Sequence, residues 1–343
     1  MGSIRPVRPP GFGPAGSLCW VVTAAEADIR LDAWLAKRAE VGSRSRARDW
    51  IARGKVLHNQ QEVTFDRAGV RVQEGDEIAV WMDRPGSSRP RLREVVTRRD
   101  ALRIVFEDDS LLVADKPPGL LVEPLPGERS EVTLHDLVAD HLRHGGPSRA
   151  RAAGRAGGAG SPEALVVHRI DRDTSGLVLF AKNEPAQFAL KRQFERRTAQ
   201  RTYVAVLEGR LTPLEGTWQD HLVWDKTRLR QRRATEDDEP AAKEAVASYK
   251  VIEQMEQAAV VEIRLVTGKR NQIRVQAALR RHPLIGERIY RRGDRPSAAP
   301  PFERQALHAS RLAFRHPRTG AHVHFEAPLP DDLRRLIAGL RRR

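Results

Sequence analysis

Residues 166–182 read VVHRIDRDTSGLVLFAK, and any fold for this chain must accommodate that pattern. Apolar runs stand on either side of a polar centre, so the segment reads as strand, loop, strand. The loop crowds His168, Arg169, Asp171, Arg172, Asp173, Thr174 and Ser175 ahead of Gly176. A carboxylate flanked by arginines is biased toward its ionised form. That suits a nucleophile or a general base, and a purely structural loop has little need of such crowding.

The rest of the chain limits what this loop can act on. Its 343 residues fit two domains, and a hydrophobic fraction of 40% suffices for a core. Lys and Arg number 60 against 45 Asp and Glu, a formal charge of +15. This implies a polyanionic partner, nucleic acid first and an anionic membrane surface second. Genome bias toward arginine also produces such a composition. Apolar runs such as Leu177 to Ala181 are far too short to span a bilayer. Cys19 is the only cysteine, which excludes an internal disulfide and a cysteine zinc cluster. No His-Glu-x-x-His helix, Walker loop or Rossmann glycine fingerprint occurs, so neither metal nor cofactor is expected. The basic N-terminus is broken by Pro and Gly, with no apolar stretch of signal-peptide length behind it. A soluble cytoplasmic protein, monomeric and without membrane attachment, is the expectation.

Residues 1–17 read as a flexible tail, 18–83 as a small domain, 84–100 as a Pro- and Arg-rich linker, and 101–343 as a second domain. Within the last, 145–162 is low in complexity and reads as a disordered insertion. Arg228 to Glu244 reads as a charged loop between strands. In the small domain Leu31, Trp34 and Leu35 recur at helical spacing. A second helix is expected from Ser43, with Trp50 and Ile51 as its apolar face, Arg44, Arg46, Arg48 and Arg53 on its other positions, and Gly54 closing it. Strand-like Val56-Leu57-His58, a turn at Asn59-Gln60 and a strand alternating at Ile78, Val80 and Met82 follow.

The stretches RLDAWLAKR, SRSRARDWIARGKVLHN and VQEGDEIAV resemble the small RNA-binding domain of ribosomal small-subunit protein four. That resemblance implies RNA contacts by Arg44, Arg46, Arg48, Arg53 and Lys55, where the alternative is a solvated basic helix. The motif at 168–177 resembles that of the RluA-type pseudouridine synthases, His-Arg-Leu-Asp, two variable residues, then Thr-Ser-Gly-Leu, with Ile170 in place of Leu. VADKPPGLLVEP, RTAQRTYVAVLEG, TGKRNQIRVQ, HPLIGERIY, LHASRLAFRHPRTG and FEAPLP are similar to the family's further segments, in the family's order. Arg201 stands where Lys is usual, and Arg270-Asn271 replaces the common pattern before Gln-Ile-Arg, so Asn271 receives no role.

The resemblance implies an α+β fold: a large mixed, mostly antiparallel sheet with a cleft across it, plus the small α/β RNA-binding domain. It implies Asp171 as the catalytic aspartate, with Asp173 as the alternative. It places Tyr203 against the uracil and Arg274, read as a strand residue, against a buried Asp171. Arg169 is the candidate for occupying the space vacated by a flipped base or for holding the flipped strand, and His168 reads as structural. The implied reaction isomerises uridine in structured RNA, with large-subunit ribosomal RNA first and transfer RNA second. One carboxylate suffices, by attack on the anomeric carbon or by a glycal route. A non-catalytic RNA-binding factor and a base-removing hydrolase are the readings from other classes.

Overall fold

Contacts divide the computed structural model into two compact units, residues 1–95 with 224–230, and 96–223 with 231–343. The structure describes residues 17–63, 68–84, 87, 102–124, 132–144, 163–291 and 300–342. The expected tail, linker and low-complexity insertion therefore fall, apart from Ser17, Arg84 and Ser87, outside the described residues.

In the first unit strands β1 (Ser17–Val21), β2 (Val56–His58), β3 (Gln61–Glu62) and β4 (Glu77–Trp81) form an antiparallel sheet in the order β1-β4-β2-β3. Asn59 and Gln60 both have positive φ, at 49° and 65°, as a two-residue hairpin turn of the right twist demands. Helices α1 (Leu31–Ala36) and α2 (Arg44–Ala52) pack Leu31, Trp34, Leu35, Ala47 and Ile51 against Val56, Ile78 and Val80. Ser43 caps α2 by accepting a hydrogen bond from the Arg46 amide at 3.2 Å. The buried face of α2 is not the expected one: Trp50 is only partly covered, and Arg48 is buried beside Ala47 and Ile51.

The second unit is built on eleven strands. They are β5 (Arg103–Glu107), β6 (Leu111–Lys116), β7 (Leu165–Val166), β8 (Ser175–Ala181), β9 (Gln200–Glu208), β10 (Glu215–Asp225), β11 (Arg230–Arg233), β12 (Lys243–Gln254), β13 (Ala258–Leu265), β14 (Leu307–Arg315) and β15 (His322–Glu326). The order is β11-β10-β12-β13-β9-β14-β8-β6-β5, with β15 on β14 and β7 on β8. Only the β8–β14 pairing among those registered is parallel, so the sheet is mixed and mostly antiparallel. The charged run expected as a loop contributes strand β11 and a short turn of 3-10 helix at Glu236–Asp238.

Among the described residues four helices complete the unit: α3 (Leu134–His144), α4 (Glu184–Glu195), α5 (Gln272–Leu279) and α6 (Asp331–Leu340). Strand alternation assigns them to faces. Tyr203, Ala205 and Leu207 of β9 join Ile273 and Ala277 of α5 in one cluster, whereas Val206 packs with Leu333, Leu336, Ile337 and Leu340 of α6. Helix α4 sends Ala186 and Leu190 onto Leu177, Leu179 and Ala181 of β8. Among the described residues no helix is long and apolar enough to cross a membrane.

Candidate active site

The polar loop between β7 and β8 is fixed at almost every position except the carboxylate of Asp171. Below it lies Lys116, fully buried at the end of β6. Its ammonium donates to the carbonyls of Arg172 at 2.7 Å, Leu120 at 2.8 Å and Pro117 at 2.9 Å. Burial pulls Lys116 down to about 7 against the opposing pull of Asp173 and Asp171. Three carbonyl acceptors nevertheless match the three donors of an ammonium, so the charged form is the one this nest is built to hold. The Gly119 amide donates to the same Arg172 carbonyl at 2.9 Å.

From the other side Arg304, also buried, donates to the Asp173 carbonyl at 3.0 Å and forks onto Asp332 at 2.7 and 3.1 Å. Gln305 donates to the Thr174 hydroxyl at 3.2 Å. His308 donates through Nε2 to the Ala327 carbonyl at 3.1 Å, which leaves Nδ1 to accept from the Ser175 hydroxyl at 3.0 Å. This last contact requires β14 to approach closely. Gly176 has φ +111°, and a Cβ there would lie 2.2 Å from the Ala309 carbonyl oxygen.

With the loop so fixed, Asp171 meets Arg274, whose Nη1 donates to Oδ2 at 3.2 Å. The Asp171 side chain keeps 27% exposure, so it is not the buried aspartate expected. Its Oδ1 takes no hydrogen bond from the described residues. Arg274 sits on helix α5 and not on a strand. Six consecutive residues of α5, Gln272 to Ala277, are buried, and in sequence Gln272, Arg274 and Gln276 alternate with Ile273, Val275 and Ala277 in the period of a strand. The Gln272 side chain pins the start of α5, accepting from the Thr267 hydroxyl at 2.8 Å and the Lys269 amide at 3.0 Å.

The stronger partner of Arg274 is Glu287, which sequence reasoning missed. Nε and Nη2 of Arg274 each donate to one Glu287 oxygen at 2.7 Å. Glu287 also accepts from the amides of Ile289 at 2.8 Å and Tyr290 at 3.3 Å. Burial alone would raise the Glu287 carboxyl, but Arg274 and these amides outweigh it and hold it below the ordinary value. The available signal was a lone carboxylate inside the apolar run HPLIGERIY. Arg274 therefore bridges two carboxylates, one sealed and one open, and lies 5.4 Å from the ring of Tyr290. Burial raises the Tyr290 hydroxyl to about 12, with Glu287 and Asp171 pushing the same way and Arg274 opposing.

Tyr203 stands on β9, buried, with burial and Asp171 raising its hydroxyl and Arg201 opposing. His168 accepts from the Leu179 amide at 3.2 Å and stacks on Phe194 at 4.8 Å. Burial and Arg201 lower it to about 3, so it is a neutral structural ring. Arg169 is 62% exposed, with Glu123 at 3.4 Å.

In the first unit the expected RNA-contacting residues divide. Arg46 is exposed. Arg44 donates to the fully buried Asp32 at 2.9 Å, and Arg48 lies 3.9 Å from the same carboxylate and is itself buried. Burial would raise Asp32, but Arg30 and Arg44 outweigh it and lower it. Arg53 pairs with Asp49 at 2.7 Å, and Lys55 donates to the Met82 carbonyl at 2.5 Å. Arg48 is thus a core residue and not part of a solvated basic face.

The fold that carries this arginine-held aspartate and the buried Tyr203 belongs to a class that comparison with known proteins names. Residues 110–279 match the family model described as RNA pseudouridylate synthase, residues 29–78 match the S4 domain, and the chain belongs to that synthase family. It is 34% identical over 323 residues to the uncharacterized RNA pseudouridine synthase YlyB of Bacillus subtilis, covering 94% of this chain and 98% of that one. It is 34% identical to ribosomal large subunit pseudouridine synthase D of Vibrio parahaemolyticus, over 91% of each chain. The protein of that name in Neisseria meningitidis serogroup B is 36% identical, covering 91% of this chain and 79% of its own. The solved human RNA pseudouridylate synthase domain containing 4 shares the fold, with a TM-score of 0.54 at 20% identity over 70% of this chain and 93% of its own.

Proposed function

We propose that this enzyme isomerises specific uridines of large-subunit ribosomal RNA, with Asp171 as the catalytic carboxylate. The observation that carries the reading is the Asp171 carboxylate itself, one oxygen bonded to Arg274 at 3.2 Å and the other without a hydrogen bond from the described residues, on a loop held by Lys116, Arg304, Gln305 and His308. In the reaction the bond from uracil N1 to ribose C1′ breaks and one from C5 to C1′ forms. N1 gains a proton and C5 loses one, so composition is unchanged and no redox step is needed. Asp171 either attacks C1′ or takes the neighbouring C2′ proton to open a glycal route, and Arg274 orients the carboxylate. Flipping the uridine out of its stack costs a few kcal/mol, recovered from pocket contacts. Tyr203 packs on the uracil, and Arg169, exposed, fills the vacated space. The S4 domain, with Arg46, selects the RNA as a separate module on residues 18–83. A cytoplasmic monomer belongs to the same reading. The ribosomal target is supported by the names of the relatives.

Pseudouridine mapping of total RNA from cells with and without the gene tests this. Sites lost from large-subunit ribosomal RNA support it, whereas sites lost only from transfer RNA sink the substrate assignment. Abasic sites in place of pseudouridine sink the isomerase.

A further inference from the structure

Strand β9 brings one more cation to the face that carries Tyr203. Arg201 lies two residues earlier, so both side chains leave the strand on the same side. The register agrees: Arg201 faces Leu265 and Leu312, and Tyr203 faces Ile263 and Ala309. The Arg201 guanidinium lies 5.4 Å from the ring centroid of Phe194, the residue that also stacks on His168 of the catalytic loop. Gly268, just ahead of α5, closes its other side, and a Cβ there would meet Arg201 Nη1 at 2.3 Å.

What sets Arg201 apart is the absence of compensation. Arg48 and Arg44 share Asp32, Arg274 has Glu287 and Asp171, and Arg304 has Asp332. Arg201 has a buried Nε with no hydrogen-bond partner, and among the described residues no carboxylate pairs with it. Its flanks are an aromatic ring, a glycine and a tyrosine, and its charge acts on Tyr203 and His168. A half-buried guanidinium left in this state is costly unless an anion meets it. A uracil carbonyl would satisfy a donor but not the charge. A phosphodiester supplies both the charge and two acceptor oxygens in the geometry of the guanidinium fork. Lys191, Arg192, Arg196 and Arg197, on α4 and the turn after it, are all exposed, so a run of phosphates finds further cations on the element that supplies Phe194.

We propose that Arg201, framed by Phe194 and Gly268, binds a backbone phosphate of the RNA beside the flipped uridine. The inference rests on the reading of this site as one that isomerises uridine in RNA, and it names the substrate group that the site grips apart from the base.

The test is tritium release from C5-labelled RNA by the full-length protein, with unmodified large-subunit ribosomal RNA and transfer RNA transcripts run in parallel. Wild-type turnover on the transfer RNA alone overturns the ribosomal assignment and leaves Arg201 to be measured on the RNA that is turned over. No release from either RNA overturns both readings. Arg201→Gln should raise KM about tenfold or more, as loss of a charge-assisted hydrogen bond requires, with kcat changed less than about threefold. The log–log salt dependence of kcat/KM should flatten by roughly 0.7–0.9, the share of one phosphate contact. Arg201→Lys should restore the slope. Arg201→Met, which keeps an apolar stem against Phe194, repeats the measurement if the glutamine variant does not fold. A fall in kcat with KM and salt slope unchanged would place Arg201 on the base or on Tyr203, and would overturn the proposal. So would unchanged kinetics.

Discussion

Replacing Glu287 tests the carboxylate–arginine–carboxylate bridge most directly, because stability and chemistry should respond with different signatures. Glu287→Ala leaves the buried Arg274 guanidinium without its two 2.7 Å acceptors, and the amides of Ile289 and Tyr290 without theirs. Breaking a buried pair by removing one partner costs about 3–5 kcal/mol. At roughly 2–4 °C per kcal/mol for a unit of this size, the melting temperature should fall by about 6–20 °C. Glu287→Gln keeps one acceptor and should fall less.

The sign of the pH dependence follows from the depressed carboxyl. Glu287's contribution is complete above its ordinary value of 4.5 and is lost as pH falls through its lower folded value. The stability gap between wild type and Glu287→Ala should therefore be constant near neutrality and close only in acid. Turnover should fall in Glu287→Ala because Arg274 loses the contact that orients it toward Asp171, and fall further in Arg274→Ala, which removes the contact itself. Thermal unfolding from pH 3 to 8, roughly the range bracketing carboxylate titration, and tritium release measure both. A Glu287→Ala variant that melts within about 2 °C of wild type, a shift too small for the loss of a buried pair, or one with wild-type turnover, would refute the bridge.

Asp171→Asn should abolish isomerisation while RNA binding survives, and Asp173→Asn should retain most turnover; near-normal release by the first variant would remove Asp171 from the chemistry. Tyr203→Phe should fold, since the ring still packs, and its turnover reports whether the hydroxyl is used. Tyr203→Ala should lose turnover in either case, and full activity would place Tyr203 outside the site. Lys116→Met removes the ammonium donor from the Leu120 and Pro117 carbonyls and from that of Arg172, which keeps the Gly119 amide. It should cost about a hundredfold in kcat through displacement of the Asp171 loop, with RNA affinity near wild type as the check on specificity. Arg46→Gln should flatten the salt dependence of RNA binding by roughly 0.7–0.9, whereas Arg48→Gln should lower the melting temperature and leave the slope alone; the reverse pattern would return Arg48 to the interface.

The sequence made some of this readable because local chemistry left few options. The strand–loop–strand at 166–182, the Ser43 cap and the Asn59-Gln60 turn each follow from residues adjacent in the chain. Where partners are distant, the reading failed. Glu287 lies 13 residues from Arg274 and shows no motif spacing to it. Lys116 and Arg304 reach the catalytic loop across 56 and 131 residues. Helix α5 reads as a strand in sequence because Gln272, Arg274 and Gln276 alternate with Ile273, Val275 and Ala277, and the fold buries all six. The burial of Arg48 escapes the sequence for the related reason that the carboxylate it lies near, Asp32, stands on another helix.

The same point changes what the net charge of +15 means. Counting arginines treats each as available to a polyanion, yet Arg48, Arg274 and Arg304 are all buried near or against carboxylates. A buried, compensated guanidinium contributes little field outside the protein and is committed to positioning. Under the proposed function, the cations open to RNA are the smaller set that burial has not claimed, such as exposed Arg46, Arg169, Arg192 and Arg196. In the proposed reaction the arginine that acts at the carboxylate is one that burial has only partly claimed. Arg274 gives two nitrogens to a sealed carboxylate and one to an open one. The first contact fixes the guanidinium so that the second can fix Asp171 without covering it. An arginine paired with Asp171 alone would be free to follow it, and an aspartate sealed as fully as Glu287 could not reach a ribose.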